Sequence, residues 1–499
     1  MSFSALRASP GDDVLELRYY ANGEWRKSTS SKLIDIQNPC SGAVIARVQA
    51  CTQGEVDLAF ESAKVAQREW QQTPLWKRAE AVHALAAQLL KHQDTLGHLL
   101  MTEVAKPIKD SIKEVVRSAD LLSYTAEEAV RALGEGNLLC SDSFKGQTRD
   151  KLCMEIRVPL GTVLAIPPFN YPINLAVSKI GPALMAGNAV VLKPPTQGAA
   201  SGLHLVQCVH LTGLFPPGLI SAVTGRGSEI GDYMTTHNGV DCISFTGGDT
   251  GLSISAKAGM VPMQMELGGK DVAIVCPDAD LKLAAKHIIA GGFGFNGQRC
   301  TAVKLVLAHR DIASQLMELL VLMLSQLRVG MPEDNADITP VISAASADFI
   351  EGLVQDAEEL GASFPSGKWS RDGNLIRPLI LDNVTAAMRI AKEEPFGPVL
   401  PVMRVSSVDE AVNICNGSRY ALQGSLFTSD MNNAMQVSAQ MSVGTVQINA
   451  APARGPDHFP FQGLRDSGIG SQGVRNSLQL MTKVRSIVIN LPSPSYATA

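Results

Sequence analysis

Short apolar runs alternate with helical patterns along the middle of the chain, and this alternation predicts the fold. Four apolar runs are each followed by a stretch of helical periodicity: residues 161–166, 189–192, 219–223 and 242–245. Strands that alternate with helices form βαβ units, which build a mostly parallel sheet with helices on both faces. The alternation restarts at 272–275 and 303–307 and therefore predicts a second α/β domain.

The N-terminal part of the chain has a different pattern. Residues 1–50 read as short strands and turns. Thr52 and Glu55 have the spacing of a capping box, which predicts that a helix begins at Thr52. Helical periodicity then extends over 74–103 and 107–133 and predicts a helical flank for the first sheet.

Length and composition are those of a soluble globular protein. The chain has 499 residues, of which 45% are hydrophobic and 18% charged, and about 150 residues per domain implies two to four domains. The net charge of −5 gives no support for nucleic acid or an anionic membrane as a partner. Residues 158–178 and 194–225 carry no charged side chain, but prolines interrupt both, so neither predicts a membrane helix.

Cysteine and histidine usage argues against disulfides and metals. The nine cysteines are scattered without a C-x-x-C pair, so the sequence predicts neither a disulfide framework nor a structural zinc site. The histidines are too dispersed to predict a metal site. No apolar secretory segment opens the chain, so we expect a cytoplasmic protein.

Cys300 is a candidate nucleophile. It lies between a loop containing Gly294 and Gly297 and an apolar run that begins at Ala302. The glycines allow another group to approach the sulfur, and the neighbouring Arg299 would favour a thiolate. A single cysteine is also often a small buried hydrophobe, so both interpretations stay open.

Glu266 and Asn170 are candidates for the rest of an acyl-transfer site. Glu266 stands between apolar neighbours, where it could be a general base or a structural acid paired with Lys270 or a backbone amide. Asn170 follows the stiff pair Pro167 and Pro168 at the end of the first predicted strand. Its amide could donate to an oxyanion, or it could be an ordinary turn residue.

Phosphate motifs are weaker. Residues 225–231 form G-x-G-x-x-x-G, one residue longer than the dinucleotide fingerprint, and 247–251 form a second glycine-rich turn. Lys193 offers a cation at the end of a predicted strand, where it could equally be solvated. Taken alone, these patterns have low specificity.

Taken together, the motifs resemble those of the aldehyde dehydrogenase superfamily over nearly the whole chain. They are, in chain order, Pro168-Phe169-Asn170, Glu266-Leu267-Gly268-Gly269-Lys270, Gly297-Gln298-Arg299-Cys300 and Glu394-Pro395-Phe396-Gly397. The resemblance implies an α/β fold with two doubly wound parallel-sheet domains and a small β projection for oligomerisation.

The implied domains follow the same resemblance. Residues 1–150 and 159–271 would form an NADP-binding domain, and 272–470 a catalytic domain. Residues 151–158 and 471–499 would form the projection and a C-terminal segment, with a strand at 486–491 in the projection. A two-stranded ribbon is marginal alone, and the family implies a homotetramer.

The implied chemistry is aldehyde oxidation. Cys300 would attack the aldehyde, Asn170 and the Cys300 amide would stabilise the oxyanion, and Glu266 would activate water to hydrolyse the thioester. Because water is the last nucleophile, no acyl phosphate would form. A cysteine hydrolase lacks a motif that pairs a histidine with Cys300, and a fold without turnover would not require all three residues.

NADP is the implied cofactor. Family members that prefer NAD often carry Glu where this chain has Thr196, and a carboxylate there would repel a 2′-phosphate. The glycine-rich turn at 247–251 is one residue shorter than the family pattern. The implied cofactor-binding residues are Lys193, Thr196, Asp232, Gly247, Gly248, Asp249, Thr250, Gly251, Glu394 and Phe396.

A phosphorylated substrate is implied by arginines, which suit phosphate recognition. The expected reaction is the oxidation of glyceraldehyde 3-phosphate to 3-phosphoglycerate; the alternative is another small anionic aldehyde. Without the family, Arg117 would be an exposed helix residue and Arg454 a surface-loop residue. The implied substrate-binding residues are Arg117, Asn170, Tyr171, Arg299, Thr301 and Arg454.

Overall fold

The computed structural model describes residues 3–7 and 14–491; residues 492–499 of the predicted C-terminal segment lie outside this part. Its α-helices are α1 Gln53–Trp70, α2 Leu75–Lys91, α3 Gln93–Val104, α4 Ile108–Gly134, α5 Asn174–Ala186, α6 Ala199–Thr212, α7 Asp232–Thr235, α8 Thr250–Lys257, α9 Leu281–Phe293, α10 Arg310–Leu324, α11 Ala344–Glu359, α12 Val408–Asn416, α13 Met431–Gln440 and α14 Val474–Leu480. Its strands are β1 Leu15–Leu17, β2 Tyr19–Ala21, β3 Glu24–Arg26, β4 Leu33–Gln37, β5 Val44–Gln49, β6 Asn137–Cys140, β7 Lys151–Pro159, β8 Thr162–Ile166, β9 Ala189–Leu192, β10 Ile220–Ala222, β11 Cys242–Thr246, β12 Met263–Glu266, β13 Val272–Val275, β14 Leu305–His309, β15 Arg371–Asp372, β16 Leu375–Ile376, β17 Leu379–Leu381, β18 Val399–Val405, β19 Tyr420–Ala421, β20 Gln423–Phe427, β21 Thr445–Ile448, β22 Leu464–Arg465, β23 Gly468–Ile469 and β24 Thr482–Asn490.

An eight-stranded sheet forms the first α/β unit. Its order is β23-β12-β11-β8-β9-β10-β2-β3. The five inner strands from β12 to β10 are parallel, and β23 and β2 pair antiparallel at the two sides. The four apolar runs of the sequence supply β8 to β11, as predicted. The pattern did not predict β12, a four-residue strand that carries Glu266 at its end.

A six-stranded parallel sheet forms the second unit, in the order β17-β18-β14-β13-β20-β21. Val272 and Ile274 of β13 belong to one hydrophobic core, whereas Ala273 and Val275 belong to another. A strand buried on both faces is typical of a parallel sheet covered by helices on each side. The predicted pair of α/β folds is therefore confirmed.

The helical flank packs against the first sheet. Thr52 is the N-cap of α1, and its amide donates to the Glu55 carboxylate across 2.8 Å, which completes the predicted capping box. The predicted helix at 74–103 is two helices, because the backbone leaves helical geometry at His92 (φ −110°, ψ 17°). None of the described helices is both long enough and apolar enough to cross a membrane.

A three-stranded antiparallel sheet, β24-β7-β6, extends from the first unit. β24 pairs with β7 along nine residues, from Thr482 opposite Pro159 to Asn490 opposite Lys151. The strand thus begins four residues before the predicted 486, and β6 was not predicted as part of this sheet. After β23 the chain also returns to the first core, where Val474 and Leu478 of α14 are buried. The predicted domain limits stay a prediction.

Candidate active site

Asn170 lies in the loop that follows β8, and a buried ion pair holds this loop. Its side-chain amide donates to the backbone oxygen of Gln298 at 2.8 Å, which joins the loop to the Cys300 segment. Its own carbonyl accepts a hydrogen bond from Lys106 at 2.6 Å, and Lys106 pairs with the Glu114 carboxylate. Both charged side chains are almost fully buried. The stiffness expected from the prolines is therefore reinforced by a charge pair that the sequence pattern did not indicate.

Cys300 follows a tight turn centred on Gly297. Gly297 has φ +69°, and a Cβ there would lie 2.4 Å from the carbonyl oxygen of Gly397, so a side chain would not fit. The buried Lys304 donates to the Cys300 carbonyl and lies 2.8 Å from the Glu394 carboxylate. This lysine fixes the cysteine backbone relative to a predicted cofactor residue.

Glu266 ends β12 and is buried. One carboxylate oxygen, Oε2, lies 3.3 Å from the Arg454 guanidinium. The other, Oε1, has no hydrogen-bond partner within the described part of the chain. A buried carboxylate oxygen without a partner can accept a proton from water or a thiol, which is the function expected of a general base.

The Cys300 thiol has an environment different from that predicted. Burial, followed by the negative charge of Glu266, raises the pKa of this thiol well above its usual value. The guanidinium of the neighbouring Arg299 donates to the carbonyl of Gly291 at 2.6 Å. The cations that lower the pKa of Cys300 are Lys304 and Arg454. The expectation that Arg299 favours the thiolate stays a prediction.

Lys179 is a further charged group beside these residues that the sequence reasoning missed. It lies on α5, is fully buried, and donates to the Thr246 hydroxyl at 2.7 Å. Burial and the positive charge of Arg454 lower its pKa to about 7, against the opposing effect of Glu266. The signal was available, since Lys179 is the first charged residue after the charge-free stretch 158–178.

A cavity of about 640 Å³ opens beside the catalytic candidates and is lined by both Asn170 and Cys300. Of the ten predicted cofactor residues, all within the described part of the chain, eight line it and Asp249 and Gly251 lie outside its wall. The eight are Lys193, Thr196, Asp232, Gly247, Gly248, Thr250, Glu394 and Phe396. Residues far apart in sequence are thus brought to one edge of the first sheet, where open parallel sheets bind ligands.

The two residues outside the wall have other contacts. The Asp249 carboxylate pairs with Arg419 at 2.8 Å on the surface. Gly251 faces the interior, where a Cβ would lie 2.2 Å from the Leu267 side chain. The Asp249 carboxylate is therefore already paired and is not offered to a ligand in the cavity. Gly251 is needed for close packing against Leu267 and has no side chain to offer.

Lys193 and Thr196 stand together at the cavity wall. Lys193 follows β9 and is 6% exposed, and burial lowers the pKa of its ammonium to about 8. No carboxylate lies within ion-pair distance of its ammonium among the residues that the structure describes, and burial is the cause of its shifted pKa. A buried cation without an anion is a costly arrangement, which a bound phosphate would relieve.

Three predicted substrate residues line a second cavity, of about 260 Å³: Arg117, Tyr171 and Arg299. Tyr171 adjoins Asn170, and Arg299 adjoins Cys300, so neighbouring residues of the same two segments line the two cavities. Arg454 lines a smaller cavity with Asp457. Thr301 is buried and lies outside these walls.

The arginines have protein partners. Arg117 binds the Asp457 carboxylate through two nitrogens, at 2.7 and 2.8 Å, and donates to the Arg454 carbonyl at 2.7 Å. The Arg454 guanidinium lies 3.9 Å from the same Asp457 and 3.3 Å from Glu266. Asp457 and Glu266 therefore supply negative charge beside these arginines in the structure. Asp457 was not among the predicted site residues.

Comparison with known proteins places the chain in a family. The model of the aldehyde dehydrogenase family matches residues 25–487, and the chain belongs to this family. The NADP-dependent glyceraldehyde-3-phosphate dehydrogenase of Triticum aestivum is 62% identical over 487 residues, which are 97% of this chain and 98% of that protein. The protein of the same name from Streptococcus equinus is 49% identical, over 95% of this chain and 99% of that protein.

Solved structures have the same fold. The crystal structure of NADP-dependent glyceraldehyde-3-phosphate dehydrogenase from Bacillus halodurans complexed with NADP matches with a TM-score of 0.93 and 50% identity. The match covers 95% of this chain and 99% of that chain. The aldehyde-dehydrogenase fold expected from the motifs is therefore confirmed.

Proposed function

We propose that this chain catalyses the irreversible, NADP-dependent oxidation of D-glyceraldehyde 3-phosphate to 3-phosphoglycerate. The observation that carries the proposal is that Cys300 and Asn170 line the same cavity as Lys193, a cation without a carboxylate partner among the described residues. The names of the relatives, which match this chain over almost their full lengths, support the same activity.

The cavity suits NADP. Lys193 supplies positive charge and Thr196 a hydroxyl beside it, both suited to a 2′-phosphate, whereas a carboxylate at 196 would repel it. Glu394, fixed by Lys304, would hold a ribose. When bound, NADP supplies the acceptor for the hydride that leaves the substrate carbon.

The chain's own residues account for the other steps. The Cys300 thiolate attacks the aldehyde carbon, and the resulting oxyanion accepts hydrogen bonds from the Asn170 amide and the Cys300 backbone N–H. Loss of hydride converts the thiohemiacetal into a thioester on Cys300. Glu266 then takes a proton from water, which attacks the thioester and releases the carboxylate. Water ends the cycle, so inorganic phosphate is not consumed.

The substrate phosphate is assigned to the second cavity. Arg117, Tyr171 and Arg299 line it, and Arg454 lies nearby, with Thr301 adjoining Cys300. In this arrangement the phosphate takes the place of the Asp457 carboxylate on Arg117. Arg side chains suit this exchange, because their paired N–H groups bind phosphate and carboxylate in the same bidentate manner.

The oligomer is proposed to be a homotetramer in the cytoplasm. The antiparallel extension presents exposed apolar side chains, among them Leu138, Met154 and Ile487. Large apolar side chains grouped on a solvent-facing sheet are typical of an interface, and an unpaired edge strand invites pairing with another chain.

Purified protein should reduce NADP when given the phosphorylated triose in buffer without inorganic phosphate, as measured by absorbance of reduced nicotinamide. Cys300→Ser should abolish turnover and keep NADP binding, because the hydroxyl is a far weaker nucleophile at this position. A strict requirement for phosphate, or full activity of Cys300→Ser, would contradict the proposal. Faster oxidation of a different anionic aldehyde would favour the alternative substrate class.

A further inference from the structure

A polar cavity of about 440 Å³ lies where α2 meets the base of the β7–β24 strand pair. Four cationic residues line it: Arg78, Arg157, Lys483 and Arg485. Glutamines at the end of α1 and just after it also line the cavity, and no carboxylate belongs to the described part of the wall. A concave surface with charge of one sign concentrates the opposite charge.

Arg78 is the most enclosed of these cations. It is 7% exposed, and its guanidinium donates to the carbonyl of Met185 at 3.0 Å and to that of Gln71 at 2.7 Å. Its Nε is buried and has no partner within the described residues. Burial lowers the pKa of Arg78 to about 10, as expected for a cation whose partners are all neutral.

The remaining cations also lack carboxylate partners. Arg157 donates to the Gln479 carbonyl and the Thr482 hydroxyl, both at 3.0 Å. Lys483 and Arg485 are exposed positions of β24, and no acidic side chain of the described wall neutralises them. Four positive charges around one cavity repel one another, whereas a dianion would be attracted by all four.

We propose that this cavity binds a small phosphorylated molecule. Arg and Lys together suit a phosphate dianion, since guanidinium groups bind it in a bidentate manner and ammonium groups act as point charges. The volume falls within the range of about 300–1,000 Å³ that is usual for small-molecule sites. The enclosed Arg78 favours a small ligand over a nucleic-acid strand, which needs an extended basic surface.

The cavity is separate from the candidate active site but shares a helix with it. Ala186, the last residue of α5, lines the cavity, and Arg78 contacts the carbonyl of the residue before it. The same helix begins at Asn174, just after the loop that contains Asn170. The two sites are thus at opposite ends of one helix.

Isothermal titration of the full-length protein, saturated with NADP, tests the site with glucose 6-phosphate, inorganic phosphate and glucose as probes. We expect one phosphorylated probe to bind per chain in the cavity and glucose not to bind. If inorganic phosphate binds as tightly as the ester, the phosphate group alone is recognised; tighter binding of the ester assigns the site to an organic phosphate. Both results support the proposal.

Variants locate the binding. Lys483→Ala combined with Arg485→Ala should weaken binding at least about tenfold, because two charge-assisted contacts are lost at positions that are exposed in the single chain. Lys77→Ala, next to Arg78 on α2 but outside the wall, should change affinity by less than about twofold. Arg117→Ala, in the candidate active site, should keep this binding. Absence of binding by both phosphate probes, equal losses in the double variant and Lys77→Ala, or loss caused by Arg117→Ala would overturn the proposal.

Discussion

Arg454 donates a hydrogen bond to Glu266 across 3.3 Å, so a candidate substrate residue contacts the candidate general base. The contact joins two segments that are 188 residues apart in sequence. It orients one carboxylate oxygen and leaves the other without a described partner. In the proposed mechanism, binding of the substrate phosphate and activation of water would therefore be linked through one guanidinium.

This link predicts different kinetics for two arginine variants. Arg117→Ala should raise KM for the phosphorylated aldehyde at least about tenfold and change kcat little, because the hydrogen bonds of Arg117 within the described residues go to Asp457 and a backbone carbonyl and not to a catalytic candidate. Arg454→Ala should raise KM and also lower kcat, since Glu266 loses its orienting donor. An uncharged aldehyde is the matched control, on which Arg117→Ala should have little effect. Parallel changes on both aldehydes would contradict phosphate recognition by Arg117.

Asn170→Ala should lower kcat/KM by about 10²–10³-fold, which corresponds to the loss of one oxyanion donor. It should also reduce the free energy of unfolding by about 1–3 kcal/mol, because the Gln298 carbonyl loses its donor in a buried setting. Steady-state kinetics and chemical denaturation measure the two effects.

Asn174→Ala is the control for Asn170→Ala. Asn174 is equally buried, begins α5 and lies outside the cavity wall. Its removal should affect stability but not the rate of the chemical step. If both variants lose activity to the same extent, the effect of Asn170 is structural.

Thr196→Glu should shift cofactor preference from NADP towards NAD. The new carboxylate would stand beside Lys193 at the cavity wall, where it repels a 2′-phosphate and can accept hydrogen bonds from a ribose. We expect the ratio of kcat/KM for NADP to that for NAD to fall at least about tenfold, or ~1.4 kcal/mol. Thr196→Gln adds the same bulk without charge and should change the ratio less. An unchanged ratio would mean that the 2′-phosphate is recognised elsewhere.

NADP affinity should fall as the pH rises through about 8. Burial lowers the pKa of Lys193 to about 8, so its ammonium is charged below this pH and loses its proton above it. The attraction for a 2′-phosphate is therefore present at lower pH and lost at higher pH. Fluorescence titration between about pH 6 and pH 10 should show this transition for NADP and a weaker one for NAD. Lys193→Arg, which stays charged, should remove it; a transition that persists in this variant would assign the titration to another group.

Much of the fold follows from local sequence. Strands β8 to β11 were predicted because they are short apolar runs between helical patterns, and α1 because Thr52 and Glu55 satisfy each other's backbone. Strand β12 was not predicted, since four residues give too little periodicity and it is completed by its neighbours β11 and β23. The break at His92 was missed because apolar spacing continues across it.

The sequence by itself determined which residues carry reactive chemistry: the sulfur of Cys300, the carboxylate of Glu266 and the amide of Asn170, each within a recognisable motif. Only the tertiary structure decided their surroundings. Arg117 meets Asp457 340 residues away, and Lys304 and Arg454 lower the pKa of the thiol against the effects of burial and of Glu266. Such pairs are made of common residue types at unrelated positions, and their energies depend on distance and burial, which exist only once the chain has folded.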